Sequence, residues 1–124
     1  MASRMLAAAA VLGFLAVVLG AFGAHGLRSR LTADELGWFE TGVRYHLVHA
    51  LALALCGVLA RTGSAPRLSA RCFLAGTILF SGSLYLLALT SARWLGAVTP
   101  FGGVALAVGW LGLLPHCRPR EPAP

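Results

Sequence analysis

The chain has 124 residues, 58% of them hydrophobic, and only 14 carry formal charge: 10 Arg or Lys against 4 Asp or Glu. Soluble domains carry roughly 25% charged residues, whereas this chain has 11% and a mean hydropathy of +0.80, and so small a body has too little interior to hide that much apolar surface. Disorder is excluded and a water-soluble fold is disfavoured. The net charge of +6 comes from arginines scattered between apolar blocks, a topology signal rather than a nucleic-acid-binding face.

A bilayer core about 30 Å thick needs about 20 apolar residues of helix. Met5 to Ala24 supplies twenty without a charge. Its small residues Ala9, Gly13, Ala16, Gly20 and Ala24 recur at steps of three and four, which lets a neighbouring helix approach closely. This favours a packed span over the alternative of a secretory signal ending near Ala21-Phe22-Gly23. Next comes a helix start: Thr32-Ala33-Asp34-Glu35 is a capping box, with Leu31 and Leu36 as its hydrophobic staple. The helix from Ala33 to Ala60 would run about 42 Å, longer than the bilayer core, so its first turns project outward or lie along the interface, with Gly42 as a place to bend. Its membrane part, Val43 to Ala60, contains Arg44, His46 and His49 at one end.

Cys72 to Ala92 forms a third block and Trp94 to Leu114 a fourth, each of twenty-one residues. In the fourth, Thr99 is expected as N-cap with Pro100 in the favoured first helical position. The predicted fold is an all-α membrane protein, an antiparallel four-transmembrane-helix bundle. Its spans lie near 5–24, 43–60, 72–92 and 95–114, in one domain over residues 1–114, with a disordered Pro-rich tail over 115–124. Counting arginines places both termini in the cytoplasm: Arg4, Arg61, Arg67, Arg71, Arg118 and Arg120 on one side against Arg28, Arg30, Arg44 and Arg93 on the other.

At about 100° per residue, Trp38, Gly42, Tyr45, His49, Ala52 and Cys56 fall on one line of the second helix, with Leu36, Val43, Leu47, Leu51 and Val58 opposite, toward lipid. On the third helix Thr77, Ser81, Tyr85 and Ala88 share a face, and Gly76, Ser83 and Thr90 share roughly the reverse one. The fourth presents Gly102, Ala105 and Gly109 as a close-packing strip. Counting depth at about 1.5 Å per residue brings His49 level with Tyr85, so these two are expected to satisfy each other across the helices. Arg44, four residues after Glu40, is expected to form an ordinary helical ion pair or to snorkel to the interface. Polarity concentrates at the non-cytoplasmic end, leaving the inner half almost wholly apolar.

Polar groups inside membranes are costly and point to function by default, so a pocket for a small ligand, built on His49, Tyr85 and the start of the fourth helix, is the rival reading. A metal on His25, His46 and His49 lacks a carboxylate or thiolate to complete it. The three cysteines, Cys56, Cys72 and Cys117, have no C-x-x-C spacing. No acid lies within a span, no catalytic motif is present, and Ser81 and Ser83 have no base partner. No cofactor or metal is expected, and enzymatic activity has nothing in its favour.

Four strings carry a family resemblance: Gly23-Ala24-His25-Gly26-Leu27; Phe39-Glu40-Thr41-Gly42-Val43-Arg44-Tyr45-His46 through His49-Ala50-Leu51-Ala52-Leu53; Leu79-Phe80-Ser81-Gly82-Ser83-Leu84-Tyr85; and Thr99-Pro100-Phe101-Gly102-Gly103 with Gly109-Trp110. In order and spacing they resemble the domain of unknown function 423 family, related to transmembrane protein 256. The resemblance runs from Gly20 to Leu114 and implies a small multi-pass membrane protein with four helices, in bacteria at the inner membrane, with no established reaction. The residues carried over are His25, Thr41, Arg44, Tyr45, His49, Ser81, Ser83, Tyr85, Thr99 and Pro100. The function expected is structural or accessory, the partners being the lipid bilayer and a membrane protein or a second copy. A small-molecule binder or transporter using the polar cluster is the alternative, and a haem- or metal-binding redox subunit the weaker third.

Overall fold

The computed structural model describes residues 1–117. Four helices follow in chain order: α1 (Ala2–Phe22), α2 (Ala33–Arg61), α3 (Arg67–Thr90) and α4 (Thr99–Leu111). A π-helical turn, Gly23–Leu27, extends α1. The 3-10 turns Arg93–Ala97 and Leu114–Cys117 flank α4. With those extensions, four helical stretches are long and apolar enough to cross a membrane: Ala2–Leu27, Ala33–Arg61, Arg67–Thr90 and Arg93–His116. The shortness of α4 is thus made up by its turns. Residues 115–117, expected in a disordered tail, belong to the last 3-10 turn; 118–124 lie outside the described residues.

Local chemistry explains the boundaries. Thr32 caps α2 from an extended conformation: its Oγ1 accepts from the Glu35 N–H at 3.3 Å, and its own N–H donates to Glu35 Oε2 at 2.9 Å. Two of the donors orphaned at a helix start are satisfied in this way. The other Glu35 oxygen accepts from Ser91 Oγ at 2.9 Å, tying the start of α2 to the residue that ends α3. α2 then runs uninterrupted to Arg61, through Gly42.

α2 and α3 are the central pair, with α1 packed on α2 and α4 on α3. The bundle has two ends. The near end holds Met1 and the connection 62–66, joined by Arg67 Nε donating to Met1 Sδ at 3.0 Å. The far end holds the connections 28–32 and 91–98. Small residues set the spacing: Gly102 lies directly on the Phe80 backbone, where a Cβ has no room. Gly42 receives the Tyr85 ring, whose Cε1 would be 2.8 Å from a Cβ there.

The buried arc of α2 differs from the expected line. Phe39, Gly42, His46, His49, Leu53 and Cys56 are all buried, alternating at steps of four and three, the seam of two helices that pack lengthwise. Trp38 and Tyr45, expected inside, are exposed at 37% and 41%. Leu36 and Val43, expected against lipid, pack instead on a small core of Leu27, Phe39 and Ala88. The reason is that α2 touches more than one neighbour, which draws its buried centre toward His46. Side chains left outside are predominantly apolar: Phe14 is 67% exposed, Leu51 67% and Phe101 72%, which suits a lipid surround.

Candidate functional site

The polar residues do not form one cluster; they are shared among three ties between helices. The first joins α2 to α3. His46 Nδ1 lies 3.0 Å from Tyr85 Oη, and the Tyr85 ring packs on Phe39 at 4.9 Å between centroids. His49, expected as the partner of Tyr85, is not. His46 is three residues earlier, nearly a full turn further from the membrane centre, and centred on the seam, so it takes the phenol.

The second tie joins α2 to α4. His49 is 4% exposed, and its Nδ1–H donates to the Tyr45 carbonyl at 2.7 Å. That leaves Nε2 as an acceptor, and the Trp110 indole N–H donates to it at 3.1 Å. Both imidazole nitrogens are therefore engaged and the ring is neutral. The Phe73 ring closes the group, 5.7 Å from His49 and 5.2 Å from Trp110. Tyr45 lies alongside, its ring 4.4 Å from Phe80 and 5.9 Å from His49.

The third tie joins α3 to α4. Ser83 Oγ and Thr99 Oγ1 are 2.7 Å apart, so one hydroxyl donates to the other; the hydroxyl that accepts is free to donate to its own helix, Ser83 to the Phe80 carbonyl at 2.9 Å or Thr99 to the Leu95 carbonyl at 3.3 Å. Thr99, expected as an N-cap, is the first residue of α4, and Val98 precedes it with no side-chain cap. Its hydroxyl holds helices together rather than starting one.

The remaining expected site residues stand apart. His25 is exposed on the π-turn. Thr41 donates back to the Gly37 carbonyl at 2.9 Å. Arg44 is exposed, lining a shallow cavity of about 270 Å³ with Tyr45, Val48 and His49. Ser81 is buried with no hydrogen-bond partner, as are Thr77 and Ser69. The near end is not wholly apolar either: Ser69 sits there, and Ser64 Oγ meets His116 Nδ1 at 2.5 Å. Among the described residues no group of three His, Cys, Asp or Glu side chains could hold a metal ion.

Two participants escaped the sequence reading as site residues, His46 and Trp110. Trp110 had a signal: an indole N–H inside an apolar span needs an acceptor, and the adjacent Gly109 brings its helix against Phe73.

The protein-family model described as "Protein of unknown function (DUF423)" matches residues 19–103. The UPF0382 inner membrane protein YgdD of Escherichia coli K12 is 49% identical over 117 residues, covering 92% of this chain and 89% of that protein. A UPF0382 membrane protein of Haemophilus influenzae is 40% identical, covering 91% and 92%. The UPF0382 membrane protein YwdK of Bacillus subtilis is 46% identical, covering 82% and 85%. No solved structure matches. The four apolar helices and these relatives agree, and the chain belongs to the DUF423 family of membrane proteins of unknown function.

Proposed function

We propose that this protein is a non-enzymatic, structural or accessory component of the bacterial inner membrane, with both termini in the cytoplasm, that works by docking with another membrane protein. One observation carries the reading: four of the side chains expected in the site are engaged in ties between helices, Tyr85 with His46, His49 with Trp110, and Ser83 with Thr99. Each pair joins two helices. In a membrane such bonds contribute about 0.6 kcal/mol each and up to about 2, enough to hold helices in register. The pocket expected from His49, Tyr85 and the start of α4 loses its support, because each of these groups is bonded to a different side chain, Trp110, His46 and Ser83.

The orientation rests on arginine distribution. Arg4, Arg61, Arg67 and Arg71 lie at or beside the near end, where His116 also meets Ser64, and Arg118 and Arg120 follow His116 in sequence. Docking is favoured by the flanks of α1, where Val11, Phe14 and Val17 are 58%, 67% and 64% exposed.

Crosslinking in native membranes, followed by gentle solubilisation and native electrophoresis, tests the reading. A reproducible neighbour crosslinked through α1, in a particle larger than the chain alone, supports it. Migration as a lone chain with no crosslinked neighbour overturns it.

A further inference from the structure

Three buried polar atoms beside one cleft have no protein partner: His46 Nε2, Thr77 Oγ1 and Ser81 Oγ. Their residues are 5%, 1% and 1% exposed, and leaving such groups unbonded costs roughly 1–3 kcal/mol each. All three residues, with Tyr85, line a cleft of about 260 Å³ between α1, α2 and α3. Thr77, Ser81 and Tyr85 are spaced by four and form a ladder along α3. Thr77 is ten residues from the start of α3, roughly 15 Å along its axis, so the polar floor begins near mid-membrane.

The cover is apolar. Leu12, Leu15 and Leu19 of α1 and Ile78 of α3 lie over the cleft, with Leu15 42% and Ile78 60% exposed toward lipid. α1 is packed on α2 and barely touches α3, so access from the bilayer requires only that leucine side chains move.

The proton arrangement specifies the ligand. Tyr85 Oη has His46 Nδ1 as its partner. If Nδ1 donated, the phenol proton would have no acceptor and Nε2 no donor, two unsatisfied groups rather than one. The phenol therefore donates to Nδ1, and Nε2 carries a hydrogen. The floor then offers three neutral donors, Nε2–H and two hydroxyls, with no charged side chain lining the cleft. Such a floor suits a carbonyl oxygen on an uncharged apolar molecule.

We propose that the cleft between α1 and α3 binds a carbonyl-bearing lipophile taken laterally from the bilayer, its carbonyl oxygens accepting from donors among His46, Thr77 and Ser81, at most two to one oxygen. Two sources share this chemistry, a quinone ring and an acyl-ester lipid. The proposal does not depend on docking with a partner protein, since binding and complex formation are read separately.

The test uses the full chain in detergent micelles, titrated by native mass spectrometry with a short-tailed 1,4-benzoquinone, with a diacylglycerol, and with an alkylbenzene lacking carbonyls. Two variants accompany it. Thr77→Val with Ser81→Ala removes the two hydroxyl donors at nearly constant shape and leaves His46 to hold Tyr85. Gly82→Leu fills the cleft, because Gly82 lines it and a Cβ there meets nothing within 4 Å. Circular dichroism and melting verify that both stay folded; the first should melt no lower than the parent chain, since it loses unbonded hydroxyls. Binding of the quinone, weakened at least tenfold by both variants, supports the proposal with a quinone as source. The same pattern with the diacylglycerol supports it with an ester lipid as source. Binding of neither, binding unchanged in either variant, or equally tight binding of the alkylbenzene overturns it.

Discussion

His46 Nδ1 and Tyr85 Oη, 3.0 Å apart, join the two central helices at a point where both side chains are screened from lipid by α1. The geometry separates this pair sharply from His49, whose nitrogens face Tyr45 and Trp110. A double-mutant cycle in micelles with His46→Leu and Tyr85→Phe should return a coupling of about 0.6–2 kcal/mol. The same cycle with His49→Leu and Tyr85→Phe should return about zero by comparison. Equal coupling in the two cycles would contradict the contact.

Trp110→Phe removes the donor to His49 Nε2 while keeping an aromatic ring against Phe73. The expected loss is about 1–2 kcal/mol, part of it the cost of an unpaired imidazole nitrogen. Nitrogen NMR provides a direct check. His49 should carry its proton on Nδ1 in the parent chain, the tautomer dictated by the Tyr45 carbonyl; an Nε2–H signal would refute the assignment.

Gly102→Ala places a methyl against the Phe80 backbone, which cannot rotate away as a side chain can. Overpacking of this kind costs about 1–3 kcal/mol, and it should also weaken the Ser83–Thr99 bond by parting α3 from α4. Gly13→Ala is the contrast, because nothing lies within 4 Å of a Cβ there. It should be neutral or stabilising by up to about 1 kcal/mol through helix propensity. Melting of the two variants in one detergent decides the matter.

Thr32→Ala removes the side-chain cap of α2, with an expected cost of about 1 kcal/mol. Hydrogen exchange should localise the loss to the first turn of α2 and, through the Glu35–Ser91 bond, to the end of α3. Protection lost uniformly along both helices would indicate a different cause.

A fifth prediction concerns orientation. Reporter fusions at Met1 and after His116 should both report the cytoplasm, and a fusion in the 28–32 connection the opposite side. Termini on opposite faces would exclude the proposed topology.

The helices and the membrane class were legible because they follow from local properties. Twenty uncharged residues must find an apolar medium, and Thr32 with Glu35 must cap wherever a helix begins there. Partner choice was not legible to the same degree. Projecting α2 at an ideal 100° per residue put Tyr45 inside and Val43 outside, whereas packing centred the buried arc on Phe39, His46 and Leu53. That rotation is smaller than one residue's step, yet it is enough to exchange His49 for His46 as the partner of Tyr85. The depth count contributed the same kind of error, since three residues are about 4.5 Å, more than the length of a hydrogen bond.

The sequence by itself therefore determined the medium, the helix content, the capping of α2 and the family. Apolar content and capping chemistry act over a few residues and do not depend on what lies across the bundle. Only the tertiary structure decided that His49 meets Trp110, that Thr99 bonds Ser83 instead of capping α4, and that His46, Thr77 and Ser81 share one cleft. Those relationships depend on the rotation and height of whole helices, which the summed packing of many small contacts sets and no single motif encodes.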